Sequence, residues 1–322
     1  MVDVMYDVII IGGAAAGLTA GIYAGRRKLK TLILTKDIGG QASLAFQVEN
    51  YPGFLKIPGF ELMQKFYQQA INSGAEVIFE EVLEIKEKGK NYLVKTASKE
   101  YETKAVILAF GKTPRSLNVP GEKEFLGKGV SYCAVCDLPL FKGKTIAIIG
   151  GGNSALDAAL NGSEIASKVY LIHRRKEFRG FEELVEKVRK KKNVEFVLDS
   201  VVKEIKGKKF VEAIIVKNVL TEEEREIKVD GVFVEIGFET KIDFVRELVK
   251  IDQNNQIVVN KKCETFYPNS DKIRPGIFAA GDLTDNPFKQ IITSAAEGAK
   301  AALQAYNYIK GIDVPVTTDW GH

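Results

Sequence analysis

Twice along this chain a short apolar run leads into a glycine cluster and then into a helix-forming segment. The first copy is Asp7-Val8-Ile9-Ile10-Ile11, then Gly12-Gly13-Ala14-Ala15-Ala16-Gly17, with Thr31-Leu32-Ile33-Leu34 as the next strand. The second is Lys144-Thr145-Ile146-Ala147-Ile148-Ile149, then Gly150-Gly151-Gly152-Asn153-Ser154-Ala155, with Val169-Tyr170-Leu171-Ile172 following. A continuous apolar run suits a strand covered on both faces of a parallel sheet, and a parallel return needs a crossover helix. Each copy is therefore predicted to be a βαβ unit, and the fold class α/β with two Rossmann-like nucleotide-binding domains.

The length, 322 residues, gives room for about two domains. The second is expected to be inserted in a discontinuous first. The run Gly276 to Asp282 reads as a strand ending in Gly-Asp, and the Ala-rich segment Ile291 to Tyr308 reads as a helix returning to the first core. The expected boundaries are 1–112, 113–243 and 244–322. A helix is expected around Leu62 to Ile71, and hairpin-like strands from Val194 to Val234.

Charge and cysteine usage narrow the classes further. The 46 basic and 42 acidic residues nearly balance at a net +4, which gives no case for nucleic acid. The basic run Arg189-Lys190-Lys191-Lys192 follows a helical spacing of Phe181, Leu184, Val185 and Val188, and reads as a solvated helix end. Val8 to Gly25 is nearly uncharged, but the glycine turn breaks it, so no membrane span is expected. With Asp3 and Asp7 and no basic stretch, the N-terminus does not read as a signal peptide, and a cytoplasmic location is expected. Three cysteines cannot staple a secreted scaffold, and with only His173 and His322 beside them no metal site is expected.

Three constellations carry chemistry. The first glycine cluster keeps Gly12 and Gly17 but has Ala14 at the position where a second glycine usually admits a pyrophosphate. The helix it opens still offers N–H groups to a phosphate, although Thr35-Lys36 stands where a ribose-binding acid is usual. The second cluster has Gly150, Gly152 and Ala155 at the fingerprint positions. Its next strand ends in His173-Arg174-Arg175, with Arg179 four residues on, and a helix starting here would put Arg175 and Arg179 on one face. Guanidinium groups pair with a 2′-phosphate where a carboxylate would repel it, so NADPH is expected over NADH. Between the clusters lies Cys133-Ala134-Val135-Cys136-Asp137, a pair able to form and break a disulfide, with Asp137 as proton donor or acceptor. Cys263 has no sequence partner and is expected to be a structural or surface thiol.

With these residues in order, the chain resembles the low-molecular-weight thioredoxin reductases, FAD- and NADPH-dependent pyridine nucleotide-disulfide oxidoreductases, over almost its full length. Gly39-Gly40-Gln41, Glu49-Asn50-Tyr51-Pro52-Gly53, Ala280-Gly281-Asp282 and Lys289-Gln290-Ile291-Ile292-Thr293-Ser294-Ala295 look like that family's flavin segments. The resemblance implies FAD held by Gly12, Ala14, Ala16, Gly17, Gly40, Gln41, Asn50, Gly111, Gly281, Asp282, Lys289, Gln290, Ile291 and Ala295. It implies NADPH held by Gly150, Gly152, Asn153, Ser154, Ala155, His173, Arg174, Arg175 and Arg179. Ala14 and Phe110 replace the glycine and threonine usual in the family. Phe110 is expected to alter flavin affinity or the fit near the adenine nucleotide, without loss of FAD.

The mechanism so implied runs from NADPH through flavin to the Cys133–Cys136 disulfide, and out to a thioredoxin-like or glutaredoxin-like protein disulfide. The two domains would alternate between two orientations, Cys136 would lie nearer the flavin, and the protein would be a homodimer. Three rivals remain. A flavin-dependent dithiol oxidase or NADPH oxidase would pass electrons to oxygen; dithiol oxidases of this architecture can dispense with the nicotinamide site, whereas His173-Arg174-Arg175 looks intact. A ferredoxin–NADP reductase does not need the cysteine pair. A non-catalytic redox sensor does not need two nucleotide sites and a flavin segment.

Overall fold

The computed structural model describes residues 5–43, 45 and 48–312, apart from the side chains of Val135 and Cys136. The described chain divides into two compact units, one running to Thr113 and resuming at Thr240, the other spanning Pro114–Glu239.

The first unit is built on Tyr6–Ile11. This strand lies parallel between Thr31–Thr35 and Glu100–Leu108, with Val8 opposite both Thr31 and Ala105. Glu76–Phe79 extends one side, and Ile273–Ala279 joins the other with Ile277 opposite Val106. The last part of the chain thus returns to the sheet that the first part began. The hairpin of Val82–Lys88 and Asn91–Thr96 pairs antiparallel to Glu100–Leu108.

Both faces of this sheet are covered, which is why its strands read as unbroken apolar runs. Val8, Ile10, Ile33 and Ile107 face the core shared with the helices, while Ile9, Ile11, Leu32 and Leu34 fill a second core on the other side. Helix Ala15–Arg26 packs closely against Gly59–Asn72 and Ile291–Lys310. A Cβ on Gly298 would lie 2.0 Å from the Ala16 carbonyl oxygen, and one on Gly25 would lie 2.3 Å from that of Ser73. Small residues at these crossings are a packing requirement.

In the second unit five parallel strands run in the order Val194–Val197, Lys168–Ile172, Thr145–Ile149, Gly231–Val234, Val130–Ser131. Helix Asn153–Ile165 makes the crossover between Thr145–Ile149 and Lys168–Ile172. A separate antiparallel sheet holds Ser200–Gly207, Val211–Asn218 and Glu224–Lys228. This corrects the expectation of hairpins throughout 194–234. Val194–Val197 and Gly231–Val234 are parallel members of the main sheet, because a short apolar run does not reveal whether its partner is local or distant. Thr113–Pro114 and Phe238–Glu239 pair as a short ribbon where the chain enters and leaves.

The basic run closes the helix Glu182–Arg189, which buries Val188 and leaves Phe181 exposed. Among the described residues no helix is long and apolar enough to cross a membrane, and no cluster of potential metal ligands occurs.

Candidate nucleotide and dithiol sites

In the first unit, the turn after Tyr6–Ile11 has no space for side chains. A Cβ on Gly12, whose φ is +117°, would stand 2.3 Å from the Ala109 carbonyl oxygen, and one on Gly17 would stand 1.8 Å from that of Gly12. These two glycines are fixed by chain crossing alone. Ala14 starts helix Ala15–Arg26 without a side-chain cap, and no acidic residue follows in the first turn. The N–H groups and the positive helix end are left for an anion. They open on a cleft of about 190 Å³ lined by Gly12 to Ala14, Thr35 to Asp37, Gly40 and Phe110 to Lys112. Phe110 lines this cleft with its ring 5.0 Å from that of Phe244. The Thr35 hydroxyl donates to the Asp37 carbonyl, and the Asp37 carboxylate accepts the Gly40 N–H at 3.2 Å.

The returning segment adds a polar set. Gly281, at φ +90°, donates its N–H at 2.7 Å to the buried carboxylate of Glu297, which also accepts from Thr284 and Asn286. Glu297 thereby holds the turn that displays Asp282, whose carboxylate accepts from Ser294 at 3.1 Å. Gln290 and Thr293 form a reciprocal cap on Ile291–Lys310, and the Gln290 side-chain oxygen accepts from Asn50 at 3.1 Å. Gln41 donates to the Lys112 carbonyl at 2.8 Å. The Lys289 amine donates to the Thr284 carbonyl at 2.6 Å, and burial pushes its pKa down. Ala16 and Ala295 are buried, while Ile291 is half-buried.

The second unit holds a larger cleft of about 530 Å³, rimmed by Gly150 to Gly152, His173 to Arg175 and Arg179, with Glu235 in its lining. The three glycines have different reasons. A Cβ on Gly150 would meet the Glu235 carbonyl oxygen at 2.3 Å, one on Gly151 would meet the His173 ring at 2.1 Å, and one on Gly152 would meet nothing within 4 Å. Gly152 leaves open space at the start of an uncapped helix with no acid in its first turn, which suits a pyrophosphate. Ala155 is fully buried below it, and Ser154 lines the cleft. Asn153 serves the protein itself, its side-chain oxygen accepting the Phe181 N–H at 2.8 Å.

Residues 173–181 are not helical, so Arg179 does not share a helical face with Arg175. Its own N–H donates to the Gly151 carbonyl at 2.7 Å and brings it to the glycine loop by that route. Arg174, Arg175 and Arg179 are exposed, and none forms an ion pair among the described residues. His173 is different. Its ring is buried, stacks on Phe178 at 5.2 Å, and donates from Nε2 to the Glu177 carbonyl at 3.1 Å. Burial, and then the neighbouring guanidinium groups, hold its pKa down, so it is a neutral wall of the loop.

Cys133 is disulfide-bonded and precedes the one-turn helix Ala134–Asp137; the Cys136 side chain lies outside the described residues. The Cys133 N–H donates to the Ser131 hydroxyl at 3.0 Å, and Asp137 is half-buried at the end of the turn. Just before the pair, Tyr132 donates to Glu122 at 2.8 Å. The Glu122 carboxylate is 1% exposed and also accepts the Leu117 and Asn118 N–H groups, each at 2.7 Å. On the other side, the Ala134 N–H donates to the Glu235 carboxylate at 3.2 Å. Burial pushes the Glu235 carboxyl up to about 7, with the Ala134 bond opposing it. Cys263 is no surface thiol: it is buried and donates to the Glu297 carbonyl at 3.6 Å, and burial pushes it up to about 12.

Sequence reading missed Glu122, Glu235 and Glu297. Glu297 had a signal, a single acid among the small residues Ser294, Ala295 and Gly298 of a packing helix. Glu235 had the weaker signal of a carboxylate directly after the apolar run Gly231–Val234.

Over residues 6–301 the sequence matches the family model described as pyridine nucleotide-disulphide oxidoreductase, and the chain belongs to that family. Within it, thioredoxin reductases stand close. That of Bacillus subtilis (strain 168) is 40% identical over 319 residues, covering 98% of each chain. The structure of Lactococcus lactis thioredoxin reductase aligns at a TM-score of 0.77 and 37% identity, over 95% of this chain and 99% of that one. The structure from T. acidophilum gives 0.74 and 37%, over 94% and 98%.

Proposed function

We propose that this chain is an NADPH-dependent thioredoxin reductase whose working dithiol is Cys133 and Cys136. The observation that carries the reading is local to the second unit. Cys133 stands one amide from Glu235, and Glu235 lines the arginine-rimmed cleft. The disulfide and the nucleotide loop thus share a wall.

The residues present fit both cofactors. In the first unit the uncapped turn at Ala14, the crowded glycines around it and the Asp282 turn held by Glu297 would hold FAD. In the second, Gly152 leaves space for the pyrophosphate, and Arg174, Arg175 and Arg179 are free to take a 2′-phosphate. When bound, FAD and NADPH supply the two-electron hydride chemistry that side chains lack.

The side chains do the rest. In the dithiol state, a thiolate of the pair attacks the partner disulfide, the second thiol resolves the mixed disulfide, and the pair closes again. Asp137, half-buried at the end of the same turn, exchanges protons with the thiols. On family resemblance alone we propose a cytoplasmic homodimer, with thioredoxin or a similar protein as its substrate.

The test is anaerobic NADPH oxidation with purified thioredoxin. Consumption should require thioredoxin and vanish in Cys133→Ser. In a parallel aerobic assay, steady consumption that ignores thioredoxin and follows oxygen would assign the chain to the oxidases instead.

A further inference from the structure

We propose that Glu235 is a positioning and charge-setting residue of the redox pair. By accepting the Ala134 N–H it fixes the one-turn helix and sets a carboxylate against the turn that carries the pair, so that the ionisation of the thiols is tied to its own. The proposal rests on reading Cys133 and Cys136 as a working dithiol.

The geometry is specific. Glu235 follows directly on the buried strand Gly231–Val234, and its N–H donates to the Ile149 carbonyl at 2.8 Å, which anchors its backbone to the neighbouring strand. Its carboxylate then reaches the one amide that is bonded to Cys133. The other charged or titratable groups around it are known. Arg115, His173, Arg174, Arg175 and Arg179 line the same cleft, Asp137 and Cys133 belong to the dithiol turn, and Tyr132 is held away by Glu122. No ion pair of Glu235 is found among the described residues. A half-buried carboxylate without a cation is poised to gain or lose its proton near neutrality, and burial has moved it there.

The consequence has a sign. An ionised carboxylate near a thiol disfavours the thiolate, and a protonated one does not. On the acid side Glu235 is neutral and leaves thiol reactivity alone; on the neutral side it holds reactivity down. The two titrations are coupled and belong to the cluster as a whole.

The experiment is alkylation of the chemically reduced protein by iodoacetamide across pH, followed by mass spectrometry of the peptide bearing Cys133 and Cys136. Dithiothreitol does the reduction, so neither NADPH nor turnover is needed. In Glu235→Gln, which keeps an acceptor for the Ala134 N–H, alkylation should match the parent on the acid side. At neutral pH it should be faster by up to roughly tenfold, the effect of one pKa unit. Glu235→Asp, which keeps the charge, should follow the parent. Superimposable parent and Gln profiles would overturn the proposal. The parent alone gives a second readout, since its profile should show an inflection near pH 7 besides those of the two thiols, and its absence would overturn the proposal even if the variants fail to fold. If the profiles differ as expected but the parent cannot reduce thioredoxin, the role of Glu235 stands and the reductase reading fails.

Discussion

Arg174 and Arg175 are the residues we propose to set coenzyme choice. Both are exposed, unpaired among the described residues, and placed at the end of the strand Lys168–Ile172 beside an open glycine turn. On that proposal, removing them takes away donors that only a 2′-phosphate would use. The double variant Arg174→Ala with Arg175→Ala should therefore raise KM for NADPH by tenfold or more, on the order of one lost charge-assisted contact, and leave KM for NADH nearly unchanged. Steady-state kinetics with both coenzymes check this, and an unchanged preference would remove the phosphate site from these residues. Cys133→Ser should abolish disulfide reduction while flavin absorbance of the purified protein stays at the parent level. His173 belongs to a different kind of residue, since its ring is a wall for Gly151 and carries no charge to the cleft.

The two glycine turns invite a contrast at the level of the element. Gly151→Ala forces a Cβ to within 2.1 Å of the His173 ring, so the ring or the turn must shift. It should lower thermal stability by about 1–3 kcal/mol, the usual range for overpacking. Gly152→Ala meets no protein atom within 4 Å and should melt like the parent. It should instead weaken NADPH binding, because the new methyl group takes the space we propose for the pyrophosphate. Melting curves and coenzyme titrations on both variants separate the two roles. Equal melting losses would mean that the open side of Gly152 is not a ligand space.

The same elements show what a sequence can reveal. Both βαβ units were legible because buried parallel strands are written as unbroken apolar runs, and the turns as glycines. The position of Arg174 and Arg175 at a strand end beside the glycine turn was legible because the fingerprint counts it from the strand. The parallel placement of Val194–Val197 and Gly231–Val234 was not, since pairing partners are set by tertiary contact. Glu235 was not legible either: its carboxylate serves an amide 101 positions away, and no local pattern encodes that distance.

For the whole molecule, the raised Glu235 carboxyl carries a stability cost with a defined pH window. Its folded pKa of about 7 lies above the ordinary 4.5. Its contribution is therefore fully present below the ordinary carboxylate value and is lost as pH rises through about 7. The interval corresponds to at most about 3 kcal/mol, and water reaching a half-buried group reduces it. Glu235→Gln should accordingly melt above the parent at about pH 8, with the gap closing at about pH 5. A gap independent of pH would show that the carboxyl ionises alike in the folded and unfolded chain. The central claim, that NADPH, flavin and Cys133–Cys136 form one electron path, is tested most directly by anaerobic NADPH titration of the purified protein with free thiols counted alongside flavin absorbance. The account predicts uptake of a second electron pair beyond the flavin, with the thiols of Cys133 and Cys136 appearing together. Bleaching of the flavin alone, with no new thiol, would contradict it.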